Sequence, residues 1–177
     1  SRELLLNVTD AAGADLGVAL VSIFAALTGA ANPFDGIDVG YFSTPSFVDL
    51  DGDGALDLVM GADDGTLRSF ANNGAGGFSA LTGAANPFDG LDVGSYSAPS
   101  FVDLDGDGAL DLVVGAFNGT LRSFVDLDGA GRFTAQTGGA NPFDGIDVGL
   151  YSTPSFVDLD GDGALDLVVG AYDGTLR

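Results

Sequence analysis

The sequence predicts an all-β chain of tandem four-stranded β-propeller-type blades, with three repeats of 54–55 residues completed by strand exchange between chains. Three observations carry this reading. The chain repeats itself: NPFDG-x-DVG starts at Asn32, Asn86 and Asn141, and DLDGDGALD starts at Asp49, Asp103 and Asp158. Each repeat consists of short alternating or β-branched runs separated by Gly, Asn and Asp turns. No stretch inside the repeats carries a helical period of adequate length. Four short strands per unit of this size is the pattern of a propeller blade.

In chain order, residues 1–29 form an N-terminal extension. Within it, Leu4 to Val8 is apolar and reads as an additional strand. Asp15 to Gly29 ends in FAALTG, like FSALTG at Phe78 to Gly83, and reads as an unattached fourth strand. Blade repeat 1 is residues 30–83, repeat 2 is 84–138 and repeat 3 is 139–177. In repeat 1 the expected strands are Ser46 to Leu50, Leu56 to Ala62, Thr66 to Ala71 and Phe78 to Thr82, with a turn at Asn72 to Gly77. Gly83 to Pro99 is the connection to the next blade. Repeat 3 stops after GTLR, before its last strand, so the N-terminus supplies what the C-terminus lacks. Three blades fall short of the about four to eight that close a propeller. The expectation is that the N-terminal strand completes a blade of a neighbouring chain. Head-to-tail contacts of that kind build a ring or an open filament. The rival expectation is that the sequence is a piece of a longer propeller.

Composition narrows the function. The chain has 26 acidic residues against 5 Arg and no Lys, a formal net charge of −21. Such a chain repels nucleic acid and anionic membranes and attracts cations. The longest apolar run, Leu16 to Ala31, is shorter than the roughly 20 residues of a membrane span. Membrane insertion is therefore not expected. His and Cys are absent, which removes the commonest general base, transition-metal ligand and nucleophile. The chain is not expected to be an enzyme.

The acidic nonapeptide places Asp at positions 1, 3, 5 and 9 and Gly at 4 and 6. Calcium takes six to eight oxygen ligands, and alternating carboxylates in a tight turn suit it. Gly52 and Gly54 permit the backbone angles of that turn. The expected ligands of the first loop are Asp49, Asp51, Asp53 and Asp57, with the carbonyl of Ala55. Those of the second are Asp103, Asp105, Asp107, Ala109 and Asp111, and those of the third Asp158, Asp160, Asp162, Ala164 and Asp166. About three Ca²⁺ per chain follow. An EF-hand is rejected, because its bidentate Glu at position 12 is here Met60, Val114 or Val169 and the flanks read as strands. A bare hairpin turn explains one copy better than three copies at a fixed phase.

Other motifs carry less. Asn7 and Asn118 match the N-glycosylation acceptor pattern. Phe34, Phe88 and Phe143 are expected to dock onto neighbouring blades, and Arg68, Arg122 and Arg177 to pair with nearby Asp.

DLDGDGALD followed by LVMGA or LVVGA resembles the FG-GAP repeats of integrin alpha-subunit propellers and the related VCBS repeats of surface proteins. The resemblance covers roughly residues 30–177. It implies Ca²⁺ bound between the first two strands of a blade, on the Asp positions just named, and an extracellular or surface location.

The function expected from these readings is an extracellular, calcium-stabilised structural or adhesive repeat protein whose partner is itself. The alternative is an integrin-like or lectin-like module whose partner is a glycan or a cell-surface protein. Tyr41, Tyr96, Tyr151 and Tyr172 are the aromatic residues available for sugar stacking in this Trp-free chain.

Overall fold

The computed structural model of the chain describes residues 3–9, 15–22, 26–126 and 131–177. It divides into two compact units, Ser1–Gly36 and Ile37–Arg177.

In the first unit, β1 (Glu3–Thr9) and β2 (Asp15–Ser22) form an antiparallel hairpin, with Leu5 opposite Leu20 and an irregularity between Asn7 and Thr9. This corrects the reading of Asp15 to Gly29 as one unattached strand. The strand ends at Ser22 and already has a partner in its own chain. Residues 23–25 lie outside the described residues, and residues 26–28 are not in a strand. A 3-10 turn, Gly29–Ala31, then leads into Asn32.

The second unit holds the blades. In the first, β3 (Thr44–Val48), β4 (Asp57–Gly61), β5 (Leu67–Asn72) and β6 (Phe78–Leu81) form an antiparallel meander in the order β3-β4-β5-β6. The second repeats it with β7 (Ala98–Val102), β8 (Asp111–Gly115), β9 (Leu121–Asp126) and β10 (Phe133–Gln136). The third contains β11 (Thr153–Val157) and β12 (Asp166–Gly170). Thr175 to Arg177 begins a third strand there, with reciprocal backbone bonds between Val169 and Arg177 of 2.8 and 2.9 Å.

The first strand of each blade starts earlier than the sequence suggests and includes its proline. Pro45 pairs with Met60, Pro99 with Val114 and Pro154 with Val169. Each of these strands lies at the edge of its sheet, where a residue without an N–H costs no ladder bond. The second strands, DLVMG and DLVVG, are buried at all five positions in blades one and two. They lack polar alternation because both faces of each sheet are covered.

Two of the three buried clusters lie between the blades, and the third gathers Val39, Leu58, Met60, Ala62 and Phe70 of the first repeat. Val48, Val59 and Leu67 of the first blade pack with Leu112, Val114 and Phe124 of the second, with Phe88 of the connection among them. Val102, Val113 and Leu121 of the second blade meet Val169 of the third, with Phe143 in the equivalent place. The expected docking of Phe88 and Phe143 is therefore observed, whereas Phe34 keeps much of its surface open. Removing a ring that fills such a junction loses its transfer energy and leaves a cavity. Phe88→Ala is expected to destabilise the chain by about 3–5 kcal/mol, as read by urea denaturation followed by circular dichroism.

Candidate metal centre

Each acidic loop joins the first strand of its blade to the second. In the first loop, Asp49 acts as the hub. Its Oδ1 accepts from the Gly52 N–H (2.8 Å) and its Oδ2 from the Gly54 N–H (2.9 Å). Asp51 accepts from the Asp53 N–H (3.1 Å), and Asp53 from the Ala55 N–H (2.7 Å). Gly52 and Gly54 have φ of +76° and +88°, a region that strains residues bearing a Cβ. The loop is wound around its own carboxylates. The second and third loops repeat it: Asp103 accepts from Gly106 and Gly108, and Asp158 from Gly161 and Gly163.

The ninth position has a role that the motif does not reveal. Asp57 lies buried beneath its loop, where its Oδ2 accepts from the Leu50 N–H (2.9 Å) and its Oδ1 from the Asn72 N–H (2.7 Å). Asp111 does the same with Leu104 and Asp126, both at 2.8 Å. Asp166 accepts from Leu159 at 3.0 Å and is only partly covered. This carboxylate therefore ties the start of the loop to the end of the third strand, a long-range contact that local spacing cannot show. Burial pushes the Asp111 carboxyl above the ordinary carboxylate range. The Asp126 and Leu104 amides oppose that push, and the Asp105 and Asp107 carboxylates add to it.

Carboxylate oxygens of Asp49, Asp51 and Asp53 lie within 4.8 Å of one another, as do those of Asp103, Asp105 and Asp111, and those of Asp158, Asp160 and Asp166. Each loop thus gathers three of its four predicted carboxylates. Asp57 stands outside the first trio, and Asp107 and Asp162 outside the other two, where they accept from the Ala109 and Ala164 amides (both 2.8 Å). Two oxygens that share one Ca²⁺ at about 2.4 Å lie no more than about 4.8 Å apart, so the trios suit that ion. The donors are hard carboxylate oxygens, which favour calcium over zinc or copper. A carboxylate oxygen that accepts one amide bond retains a lone pair for a cation.

Beyond the opposite end of the first strands lies a second feature. Phe42, Tyr96 and Tyr151, at equivalent places in the three repeats, have φ of +55°, +61° and +55°. Bulky side chains rarely occupy this region, and such strain persists only where packing enforces it. The rings pack on one another: Tyr96 is 4.5 Å from Phe42 and 4.8 Å from Tyr151 between centroids. Phe117 and Tyr172 extend the cluster, at 4.9 and 5.3 Å from Tyr151. The sequence flagged three of its tyrosines but not the phenylalanines or the backbone strain.

The junction serines were also missed. Ser97 and Ser152 are buried: Ser97 Oγ accepts from the Ala62 N–H (2.9 Å) and donates to the Thr66 carbonyl (2.9 Å), and Ser152 does so with Ala116 and Thr120 (both 2.8 Å). Their signal was recurrence as the first residue of S-[TA]-P-S-F in each repeat. The expected arginine pairing holds for Arg68 with Asp64 (3.2 Å) and Arg177 with Asp173 (3.9 Å), while Arg122 donates to the Asp92 carbonyl (3.2 Å). Asn118 caps its own turn by accepting from Thr120.

The fold and the site together define a tandem β-sheet repeat protein with one carboxylate-rich loop per repeat. The signature of the FG-GAP-like repeat matches residues 49–114 and again 103–169, more than half of the chain. The chain belongs to that family. Each match runs from one acidic loop through the second strand of the next blade, so the family unit spans a blade junction. No curated protein matches the chain.

The two carboxylate roles separate experimentally. Asp105 is exposed and its side chain organises only its own turn, whereas Asp111 satisfies two partly or fully buried amides. Asp105→Asn is expected to weaken calcium binding at the second loop while leaving calcium-free stability nearly unchanged. Asp111→Ala is expected to cost about 2–4 kcal/mol even without calcium, because each stranded buried donor costs about 1–3 kcal/mol. Calorimetric titration and denaturation in chelator measure the two effects.

Proposed function

We propose that the chain is a non-enzymatic, calcium-stabilised structural or adhesive repeat protein of the extracellular space or cell surface, which assembles head to tail with copies of itself. The observation that carries the calcium part is a convergence of three carboxylates in each of the three acidic loops, drawn from motif positions 1, 3 and 5 in the first and 1, 3 and 9 in the other two. FG-GAP repeats often bind Ca²⁺. In this chain Asp49, Asp51 and Asp53 would hold the ion in the first loop, Asp103, Asp105 and Asp111 in the second, and Asp158, Asp160 and Asp166 in the third. The chemistry it would supply is charge neutralisation. Without a cation the loop carboxylates repel one another in a chain already at −21, so binding free energy becomes folding free energy.

The assembly part draws on repetition. Identical units offer a repeated surface rather than one active site. Among the described residues, no helix is long and apolar enough to cross a membrane.

One observation favours a second reading, a glycan- or protein-binding module of the integrin or lectin kind. The aromatic cluster around Tyr96 and Tyr151 leaves Tyr41, Phe42 and Tyr172 strongly exposed. Binding on a glycan array that is lost in Tyr172→Ala, with the fold intact, would favour it.

Calcium at 100 times its dissociation constant is expected to stabilise the chain by about 2.7 kcal/mol per site. Differential scanning calorimetry should show a rise in Tm that chelator reverses. Titration calorimetry should give about three equivalents. Negative-stain electron microscopy should show ordered assemblies that chelator disperses. A stable monomer with unchanged Tm in chelator contradicts this function.

A further inference from the structure

The three repeats each bring one aromatic ring to a single place. Phe42, Tyr96 and Tyr151 stand two residues before the first strand of their blades. Their ring centroids are 4.5, 4.8 and 6.1 Å apart. The rings are steeply inclined, by 83° between Phe42 and Tyr96 and 63° between Tyr96 and Tyr151. All three hold left-handed backbone angles that bulky residues rarely adopt, and strain of this kind gathers at ligand clamps. The rings wall a recess of about 160 Å³ whose lining also includes Thr44, Ser152 and Thr153. A group over the common centre of the rings lies within the about 6 Å at which a ring face attracts a cation.

The polar groups of the recess are already engaged. Thr44 Oγ1 donates to the Ser97 carbonyl (2.6 Å), Ser152 Oγ to that of Thr120 (2.8 Å) and Thr153 Oγ1 to that of Gly170 (3.4 Å). A sugar hydroxyl, a primary ammonium or a guanidinium entering here would give up water without gaining its partners. One carboxylate stands beside the rings. Where the second repeat has Phe117, the first has Asp63. Phe117 donates its N–H to the Ser95 carbonyl (2.8 Å) and accepts from the Tyr151 N–H (3.0 Å), and its ring lies 5.5 Å from Tyr96 and 4.9 Å from Tyr151. Asp63 makes the same backbone bonds to Tyr41 and from Tyr96, both 3.2 Å, so it borders Phe42 and Tyr96. Its neighbour Asp64 is bonded to Thr66 and Arg68. The half-buried Asp63 carboxylate has no hydrogen bond or ion pair among the described residues.

We propose that this recess binds a methylated, quaternary ammonium group, with the rings of Phe42, Tyr96 and Tyr151 against its methyls and Asp63 beside it as the counter-charge. This rests on the second reading above, that the ring cluster binds a ligand, and names an ammonium rather than a sugar as the group taken. A quaternary ammonium carries charge without an N–H, so it needs no acceptor from the engaged hydroxyls. Ring faces attract it, and its methyls bury as apolar surface. The net charge of −21 draws cations to the chain.

The test uses the full chain in saturating calcium, so that the acidic loops do not take the probe. Titration calorimetry with tetramethylammonium and with choline is expected to show one site. Neohexanol, which is choline with carbon in place of nitrogen, is expected to bind at least about tenfold more weakly. Phe42→Leu keeps an apolar side chain but removes a ring, and Asp63→Asn removes only the charge. Each is expected to weaken choline about tenfold, whereas Asp64→Asn leaves it unchanged. Circular dichroism checks the fold of each variant; if Phe42→Leu is unfolded, Asp63→Asn and neohexanol carry the test. A trimethyllysine peptide that binds tighter than choline assigns the group to a protein side chain, and the reverse order assigns it to a free solute. Equal binding of choline and neohexanol, or full affinity for choline in Asp63→Asn and in folded Phe42→Leu, overturns the ammonium site. A chain that ignores choline but binds a glycan at the rings overturns the ammonium and leaves the second reading standing. A chain that binds neither overturns both.

Discussion

A carboxylate buried beneath each acidic loop is the constraint on which the rest of a blade depends. Asp57 and Asp111 are nearly solvent-free, and each accepts two backbone amides, one from the start of its loop and one from the end of the third strand. A charge in such a place is tolerated only when hydrogen-bonded. Those two bonds couple the loop, the second strand and the third strand into one unit. They also fix the base of a turn whose upper carboxylates converge on one point. The repulsion that results is what a hard cation relieves. Asp57 therefore serves the fold from outside its carboxylate trio, whereas Asp111 serves the fold and is also a member of its trio.

Much of this was legible in the sequence because it is local. The repeat period, the order of strands and the glycine-supported turns all follow from spacing and residue type. The edge-strand prolines were misplaced by a residue or two, because tolerance of Pro45 depends on which neighbour its strand has, and the sequence does not show the neighbour. The N-terminal strand was read from a likeness of Phe24 to Gly29 with Phe78 to Gly83. The hairpin of β1 with β2 prevails over that likeness, since two apolar strands close in sequence pair at lower loop-closure cost. The ninth aspartate was assigned to calcium alone because its partners, Asn72 and Asp126, lie 15 residues further on.

The junctions explain why the repeats keep residues that their own blades do not need. Gly61 is in a strand without positive φ, yet a side chain there would strike the Ser97 carbonyl of the next repeat. Asn86 and Ser97 bond to the preceding blade rather than to their own. A repeat cannot bury these groups alone, and its stability comes from its neighbour.

The first strand of each blade also keeps two chemistries apart. Phe42 precedes Thr44–Val48 by two residues, and Asp49 follows it directly; Tyr96 with Asp103 and Tyr151 with Asp158 repeat the arrangement. Five residues of strand span about 17 Å. The carboxylate loops and the strained aromatic rings therefore lie at opposite ends of the sheets. A ligand stacked on the rings would not touch a cation held in the loops. Coupling between them must run through the strand and its sheet, by stability rather than contact. The aspartate under the loop pins the strands that begin at the rings, so calcium would hold the aromatic end in its strained geometry without taking part in recognition.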